Sequence, residues 1–269
     1  MATTLDLDAY LERIRWGGQA RPTLDALTGL LGAHLARIPF ENLDVLLGRP
    51  PRLDIEGLQA KLVGARRGGY CFEHATLFAA VLEAIGFRPC RHSARVTMLS
   101  PRNASPRTHM FLTVPLDEGT FVVDPGFGAL APRAPVPLDG TPVRVDRESH
   151  AMVCDGRFFV LRAQVGAEPP VDAWASTLEE DAPIDFELGN HYTATHPNSP
   201  FVQRLMMRAL TADGRVGVMN RDVTLWRGLE RQATQLADRA ALRALVAEHF
   251  GFDLAEIDRL RVPSLSEWS

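Results

Sequence analysis

Apolar positions change their period after residue 86, and that change divides the chain. Up to about residue 87 they recur every three or four residues, the spacing of one helical face. Leu7, Tyr10, Leu11 and Ile14 share such a face. A second helix is predicted with Thr23 as N-cap, carrying Leu24, Leu27, Leu31 and Leu35 until Pro39 stops it. A third runs from about Asp54 through Leu58 and Leu62 to Gly64. A fourth opens at Cys71, carries Ala75, Phe78 and Leu82 with Val81 and Ile85 alongside, and ends at Gly86, a residue suited to the position after a helix.

Beyond Gly86 the period falls to two, as in a strand. Cys90, His92, Ala94, Val96 and Met98 fall on one face and Arg91, Ser93, Arg95 and Thr97 on the other, which assigns Cys90 to a core. Further strands are expected at 109–114, 120–124, 142–146 and 151–162, separated by turns such as Pro132 to Pro137 and Asp139-Gly140. Residues 190–201, which hold His191 and His196, read as a loop because of their prolines. Two more strands surround Thr211-Ala-Asp-Gly-Arg215, followed by helical patterns at about 226–236 and 238–250, the latter with Leu242, Leu245, Val246 and Phe250. The expected class is α+β: a helical domain over 1–87, an antiparallel β-barrel or strongly curved sheet over 88–200, and a smaller α/β segment over 201–269.

Composition narrows the partners. With 269 residues, 46% hydrophobic and 23% charged, the chain is expected to fold as a globular protein. The net charge of −4 carries no block of like charge, which argues against a nucleic-acid surface or a polybasic membrane patch and leaves small molecules as partners. Cys71, Cys90 and Cys154 are odd in number and widely spaced, so neither a disulfide framework nor a metal knuckle is indicated, and a reducing compartment fits. The acidic start, residues 1–8, lacks the basic and apolar regions of a signal peptide, and no apolar run approaches the roughly 20 residues of a membrane span. A cytoplasmic protein is expected. Phosphate-binding and dinucleotide fingerprints are absent, as is a ligand cluster for a metal around His191 and His196.

Chemistry concentrates at Arg66-Arg-Gly-Gly-Tyr-Cys-Phe-Glu-His74. Gly68 and Gly69 permit sharp turns and close approach, leaving room for a ligand. Cys71 then stands at a helix start, where unsatisfied N–H groups and the helix dipole, with two arginines upstream, favour a thiolate nucleophile over a buried structural thiol. Such a nucleophile needs a base and a group that orients the base. The stretch from His109 to Asp124 supplies both. Met110, Leu112 and Val114 form an apolar face of one strand, Phe121 and Val123 that of the next, and matching these faces fixes the parity of the hairpin. His109 and Asp124 then share the opposite face, directly or diagonally across from one another. His74, three residues after Cys71 on the same helix, is the rival base but has no evident carboxylate beside it. In Arg37-Ile-Pro-Phe-Glu-Asn-Leu-Asp-Val45, Glu41 can pair with Arg66 or Arg67, a contact that would set geometry more than add stability.

These residues carry a resemblance. Arg66 to Glu73, Arg37 to Leu43, Thr108-His-Met110, Asp124-Pro-Gly-Phe-Gly128 and Thr195-His-Pro-Asn-Ser-Pro-Phe201 closely resemble, in order and spacing, the arylamine N-acetyltransferases. The resemblance implies a helical domain, a β-barrel and an α/β lid, with a catalytic core like that of papain-type proteases and transglutaminases. It also implies a triad of Cys71, His109 and Asp124, and ping-pong transfer of acetyl from acetyl-coenzyme A, a co-substrate and not a tightly bound cofactor, to arylamines, arylhydrazines or N-hydroxyarylamines. Phe40 and Phe127 resemble aromatic walls for the acceptor ring. Thr108, Gly126 and Phe201 resemble positions near the coenzyme channel. Pro125 departs from the Val or Cys that many members carry after the aspartate. Three other readings use the same residues: an amide synthase releasing or cyclising a polyketide chain, a protease or transglutaminase, and a binding protein without activity.

Overall fold

The computed structural model describes residues 5–98, 100–228 and 230–265; the remainder of the N-terminal octad, residues 1–4, and the end of the C-terminal segment, 266–269, lie outside the described residues. The helices are α1 (Leu7–Ile14), α2 (Leu24–Arg37), α3 (Leu43–Leu46), α4 (Ile55–Leu58, continued by a π-helical turn to Gly64), α5 (Cys71–Ile85), α6 (Pro183–Thr195), α7 (Pro200–Gln203) and α8 (Arg239–Leu245). Thr23 caps α2 by accepting from the Ala26 N–H, Asp54 caps α4 from Gly57, and Gly86 ends α5 in the left-handed region at φ 104°. The helical pattern of the first third was therefore legible where Thr23, Asp54 and Gly86 mark helix ends, whereas α3 and the short strand Phe40–Glu41 fall in a stretch read as a connection between helices.

Eight strands form one antiparallel sheet: β2 (Cys90–Val96), β3 (Arg107–Leu116), β4 (Gly119–Val123), β5 (Val136–Pro137), β6 (Val143–Val145), β7 (Glu148–Asp155), β8 (Phe158–Val165) and β9 (Val171–Ser176). Their spatial order is β5-β4-β3-β2-β9-β8-β7-β6, and β5 comes back against β7, so the sheet curls into a nearly closed barrel. β3 and β4 join through the two-residue turn Asp117-Glu118, with Leu112 opposite Val123 and Val114 opposite Phe121, the parity expected from their apolar faces. Both faces of this hairpin are buried. Met110, Leu112, Val114 and Val123 pack on α5 and the helical core, while Phe111 and Val122 turn into the barrel with Trp174 and Leu161.

A second sheet, ordered β1-β10-β11-β12-β13, comprises β1 (Phe40–Glu41), β10 (Met206–Thr211), β11 (Gly214–Met219), β12 (Asp222–Arg227) and β13 (Glu230–Gln235). Its first strand comes from the helical third of the chain. Met207, Ala209, Val216 and Val218 bury one face against Leu242 and Val246 of the α8 region.

Four expectations are corrected. The 151–162 strand is two strands, because Gly156 at φ 62° turns the chain between β7 and β8. Residues 226–236 are strand, not helix: Gly228 at φ 55° makes a hairpin, and β13 is an all-exposed polar edge strand whose spaced apolar neighbours imitate a helical period. His191 lies within α6 and His196 caps it, since Pro183 sits in the first turn, where proline is tolerated, and the later prolines follow the helix end. Cys90 is only half-buried, as the first residue of β2, and Met98 is exposed beyond its end.

Candidate active site

Cys71 is the first residue of α5 and is 3% exposed. The segment that delivers it is held by backbone pairing: the Glu41 N–H donates to the Gly69 carbonyl at 2.8 Å and the Gly69 N–H to the Pro39 carbonyl at 3.2 Å. A Cβ at Gly68 would lie 2.0 Å from the Pro39 oxygen. Gly68 thus admits the chain of residues 39–41, and Gly69 admits the Glu73 side chain, whose carboxylate a Cβ there would meet at 2.6 Å, whereas sequence reasoning assigned that room to a ligand. Glycine serves the same purpose at Gly126, where a Cβ would lie 2.5 Å from the Cys71 Cα.

Beneath this junction, the carboxylates Glu41, Asp44 and Glu73 share Arg67 and Lys61, with Arg49 on Asp44 from the surface side at 2.9 Å. Arg67 binds Glu41 at 2.6 Å and Asp44 at 2.8 Å, which resolves the choice between Arg66 and Arg67, and Lys61 binds Asp44 at 2.8 Å and Glu73 at 2.7 Å. Burial pushes Asp44 upward, but Lys61 and Arg67 outweigh it and hold the carboxyl at about 2. Glu73 is buried against a single cation, and burial pushes it to about 7. Its other oxygen accepts from the Tyr70 N–H at 3.1 Å, which ties the network to the residue preceding Cys71. Tyr70 in turn donates its hydroxyl to Asn190 of α6, whose amide reaches the Pro51 carbonyl at 2.9 Å.

His109 Nε2 lies 2.8 Å from Asp124 Oδ2, and both residues are buried. Asp124 also accepts from the Trp174 indole N–H at 2.9 Å and from the Gly126 N–H at 3.3 Å. Burial by itself would lower the His109 pKa. The charge of Asp124, its hydrogen bond, and then the hydrogen bond and charge of Cys71 overcome that and raise it to about 10. Because Nε2 faces Asp124, Nδ1 is the nitrogen left for Cys71. The thiol donates to the carbonyl of Thr108 at 3.7 Å, the residue preceding His109, and so stays beside the imidazole.

The rival histidine has a different setting. His74 Nε2 faces the carbonyls of Pro39 at 3.2 Å and Gly69 at 3.1 Å, which only accept, so Nε2 carries the proton. Its Nδ1 then accepts from His34 Nε2 at 2.7 Å, and His34 Nδ1 accepts from the Tyr10 hydroxyl at 2.7 Å. Burial lowers His74 to about 4 and His34 well below its ordinary value, so the chain is neutral.

Cys71 and His109 line a cavity of about 830 Å³. Thr108, Gly126 and Phe201 line it too, as do Phe40 and Phe127, while Asp124 is fully buried behind His109. The Phe40 and Phe201 rings are 6.2 Å apart, and Phe127 meets His109 edge-on at 4.8 Å. The sequence reading missed Trp174. Its signal was slight: a tryptophan in Val171–Ser176, a short strand whose alternation was too brief to register. No group of three or more metal-ligating side chains occurs among the described residues, and no described helix is long and apolar enough to cross a membrane.

Comparisons with known proteins bear on this arrangement. The family model for N-acetyltransferase matches residues 23–259. The chain is 38% identical over 263 residues to the arylamine N-acetyltransferase of Mycobacterium tuberculosis, covering 94% of this chain and 91% of that protein. It is 32% identical over 258 residues to the arylamine N-acetyltransferase / N-hydroxyarylamine O-acetyltransferase of Salmonella typhimurium, covering 93% and 90%. The structure of Mycobacterium marinum arylamine N-acetyltransferase in complex with CoA superposes with a TM-score of 0.88 at 36% identity, covering 94% of each chain.

Proposed function

The chain belongs to the arylamine N-acetyltransferases, and from that premise we propose that it carries acetyl from acetyl-coenzyme A to aromatic amines, hydrazines or hydroxylamines through a thioester on Cys71. The observation that carries this reading is the buried His109–Asp124 pair beside a cysteine at a helix start, with Cys71 and His109 opening on one cavity large enough for a ligand. Thr108, Gly126 and Phe201 are proposed to border the coenzyme, and Phe40 and Phe127 the acceptor ring. The three-part layout, residues 1–87, 88–200 and 201–269, and a catalytic core of papain or transglutaminase type belong to the same proposal.

To start the reaction the Cys71 thiol, which rests against the Thr108 carbonyl, passes its proton to His109 Nδ1, and Asp124 favours the imidazolium that forms. The thiolate adds to the acetyl carbonyl of acetyl-coenzyme A, the carbon–sulfur bond to the coenzyme breaks, and the departing sulfur takes the Nδ1 proton. This leaves acetyl-Cys71, neutral His109 and free coenzyme A. A thioester is exchanged for a thioester, so the step needs little driving force. A neutral arylamine then attacks the acetyl-cysteine, Nδ1 removes the amine proton, and the thiolate–imidazolium pair is restored as the amide leaves. Asp124 holds Nε2–H in both halves, which orients the ring and stabilises its charged form.

Intact mass spectrometry after incubation with acetyl-coenzyme A tests the reading. Wild-type protein gains one acetyl group that aniline then removes, and Cys71→Ala gains none. A wild-type protein that stays unmodified overturns it.

A further inference from the structure

One wall of the cavity that holds Cys71 is the outer face of the second sheet. On β10, Met207 and Ala209 point into the α8 core, so Met206 and Arg208 point the other way; on β11, Val216 and Val218 are buried, so Arg215, Gly217 and Met219 point the other way. Two arginines therefore sit on this ceiling among Met206, Met219 and Trp226. Arg208 lies opposite Gly217, which places Arg215 diagonally next to it. Like charges at such positions are unfavourable unless something answers them.

What answers them is incomplete. Buried Glu148 forms an ion pair with Arg215, lies 3.6 Å from Arg208 Nη2 and lies 3.5 Å from Arg133 Nε. Arg133 is paired with Asp146. Three guanidinium groups thus face two carboxylates, and Arg147 adds further positive charge near Arg215, so positive charge is left over. Arg133 Nε and Glu148 Oε2 are buried without a hydrogen bond, so the existing partners do not close the cluster. Burial and the neighbouring Arg133 lower Arg208 to about 10, as expected of an under-compensated cation. The other acid on this cavity, Asp222, stands at the far end of the β11–β12 hairpin, opposite Met219, and accepts from Gln235.

The location of the surplus charge matters. Arg208 is the direct register partner of Phe40, and its guanidinium donates to the carbonyl of Gly128. A Cβ on Gly128 would touch the Phe40 ring at 3.4 Å. The guanidinium therefore closes the corner between the two aromatic walls, Phe40 and Phe127–Gly128, on the ceiling of the cavity that holds Cys71. We infer that Arg208 and Arg215 form an anion-recognition subsite that selects acceptors bearing a single carboxylate on the ring, remote from the reacting amine. The inference rests on the acetyltransferase reading above and adds the class of acceptor to it. Surplus positive charge suits an anion, and a guanidinium fork matches a carboxylate by charge-assisted hydrogen bonds.

The test uses p-nitrophenyl acetate as a donor without phosphates, so that only the acceptor can offer an anion. The ratio of kcat/KM for 4-aminobenzoate to that for its neutral analogue 4-aminobenzamide is measured in wild type, Arg208→Gln and Arg215→Gln. The ratio is expected to fall about 10- to 100-fold in each variant, the scale of one charge-assisted hydrogen bond. Arg215→Lys, which keeps the charge, is expected to retain more of it than Arg215→Gln. A ratio within about twofold of wild type in Arg215→Gln overturns the subsite. A variant whose ratio holds while its KM for acetyl-coenzyme A rises assigns the charge to the donor phosphates, and also overturns it. Failure of wild type to acetylate any of aniline, the benzamide and the benzoate would instead reject the acetyltransferase reading, so the two failures are distinguishable.

Discussion

Two buried histidines flank the start of α5, and they have opposite electrostatic fates. His109 is raised to about 10 and His74 lowered to about 4, although both are shielded from water. Burial pushes each downward. The difference is the partner: His109 meets a carboxylate that also receives an indole and a backbone N–H, whereas His74 meets two carbonyls and a second neutral imidazole. A neutral acceptor repays a hydrogen bond but does not compensate a charge, so His74 is suited to hold the Pro39 and Gly69 segments together and His109 to carry a proton.

The comparison breaks most severely if Asp124 is changed. Asp124→Asn removes the charge that raises His109, and kcat/KM for acetyl transfer is expected to fall about 10³- to 10⁴-fold, by analogy with other triads that lose their carboxylate. A loss below about tenfold would mean that the helix end alone activates Cys71. Trp174→Phe is milder. It keeps an aromatic ring at the 4.1 Å stack on Phe111 but deletes the N–H to Asp124, and kcat is expected to fall about tenfold with KM little changed.

The smallest effect belongs to the neutral chain. His34→Gln leaves the Tyr10 hydroxyl and His74 Nδ1 without their shared partner, which should cost about 1–3 kcal/mol of unfolding free energy, read by urea titration at pH 7. Turnover per folded molecule should change little. The pH dependence sharpens the contrast, because the two histidines have opposite signs. His74 and His34 have depressed pKa values, so their stabilisation is complete above about 6.5 and is lost as the pH falls, for His74 through about 4. His109 has a raised value, so its stabilisation is complete below about 6.5 and is lost as the pH rises through about 10. Urea titrations across both windows should therefore show an acid-side slope that shrinks in His34→Gln and an alkaline-side slope that shrinks in His109→Gln, where buried Tyr10 and Tyr70 still contribute.

Much of the site was legible in the chain, for local reasons. Cys71 opens a helix because Ala75, Phe78 and Leu82 follow at helical spacing, and a helix start is defined within a few residues. His109 and Asp124 share a face because a two-residue turn couples parity to the apolar pattern of two adjacent strands. Where that logic met competing patterns it failed. Trp226, Ala233 and Leu236 imitate a helical period, while the deciding feature was Gly228 turning one strand back upon another. Asn190, placed by sequence in a loop, lies on α6 and braces Tyr70 beside the nucleophile.

The sequence by itself determined the elements and which side chains each one offers: a thiol at a helix start, a histidine and an aspartate on one face of a hairpin, and a glycine pair before the thiol. Periodicity and turn geometry act over a few residues, so they can be read without knowing where the rest of the chain goes. Tertiary structure alone decided the partners. It brought the Trp174 indole to Asp124, hydrogen-bonded His34 to His74, passed residues 39–41 over Gly68, and set Arg208 beside Phe40 on the ceiling of the cavity. Those contacts join segments whose relative placement depends on how buried surfaces pack, and packing against distant residues leaves no period in the local sequence.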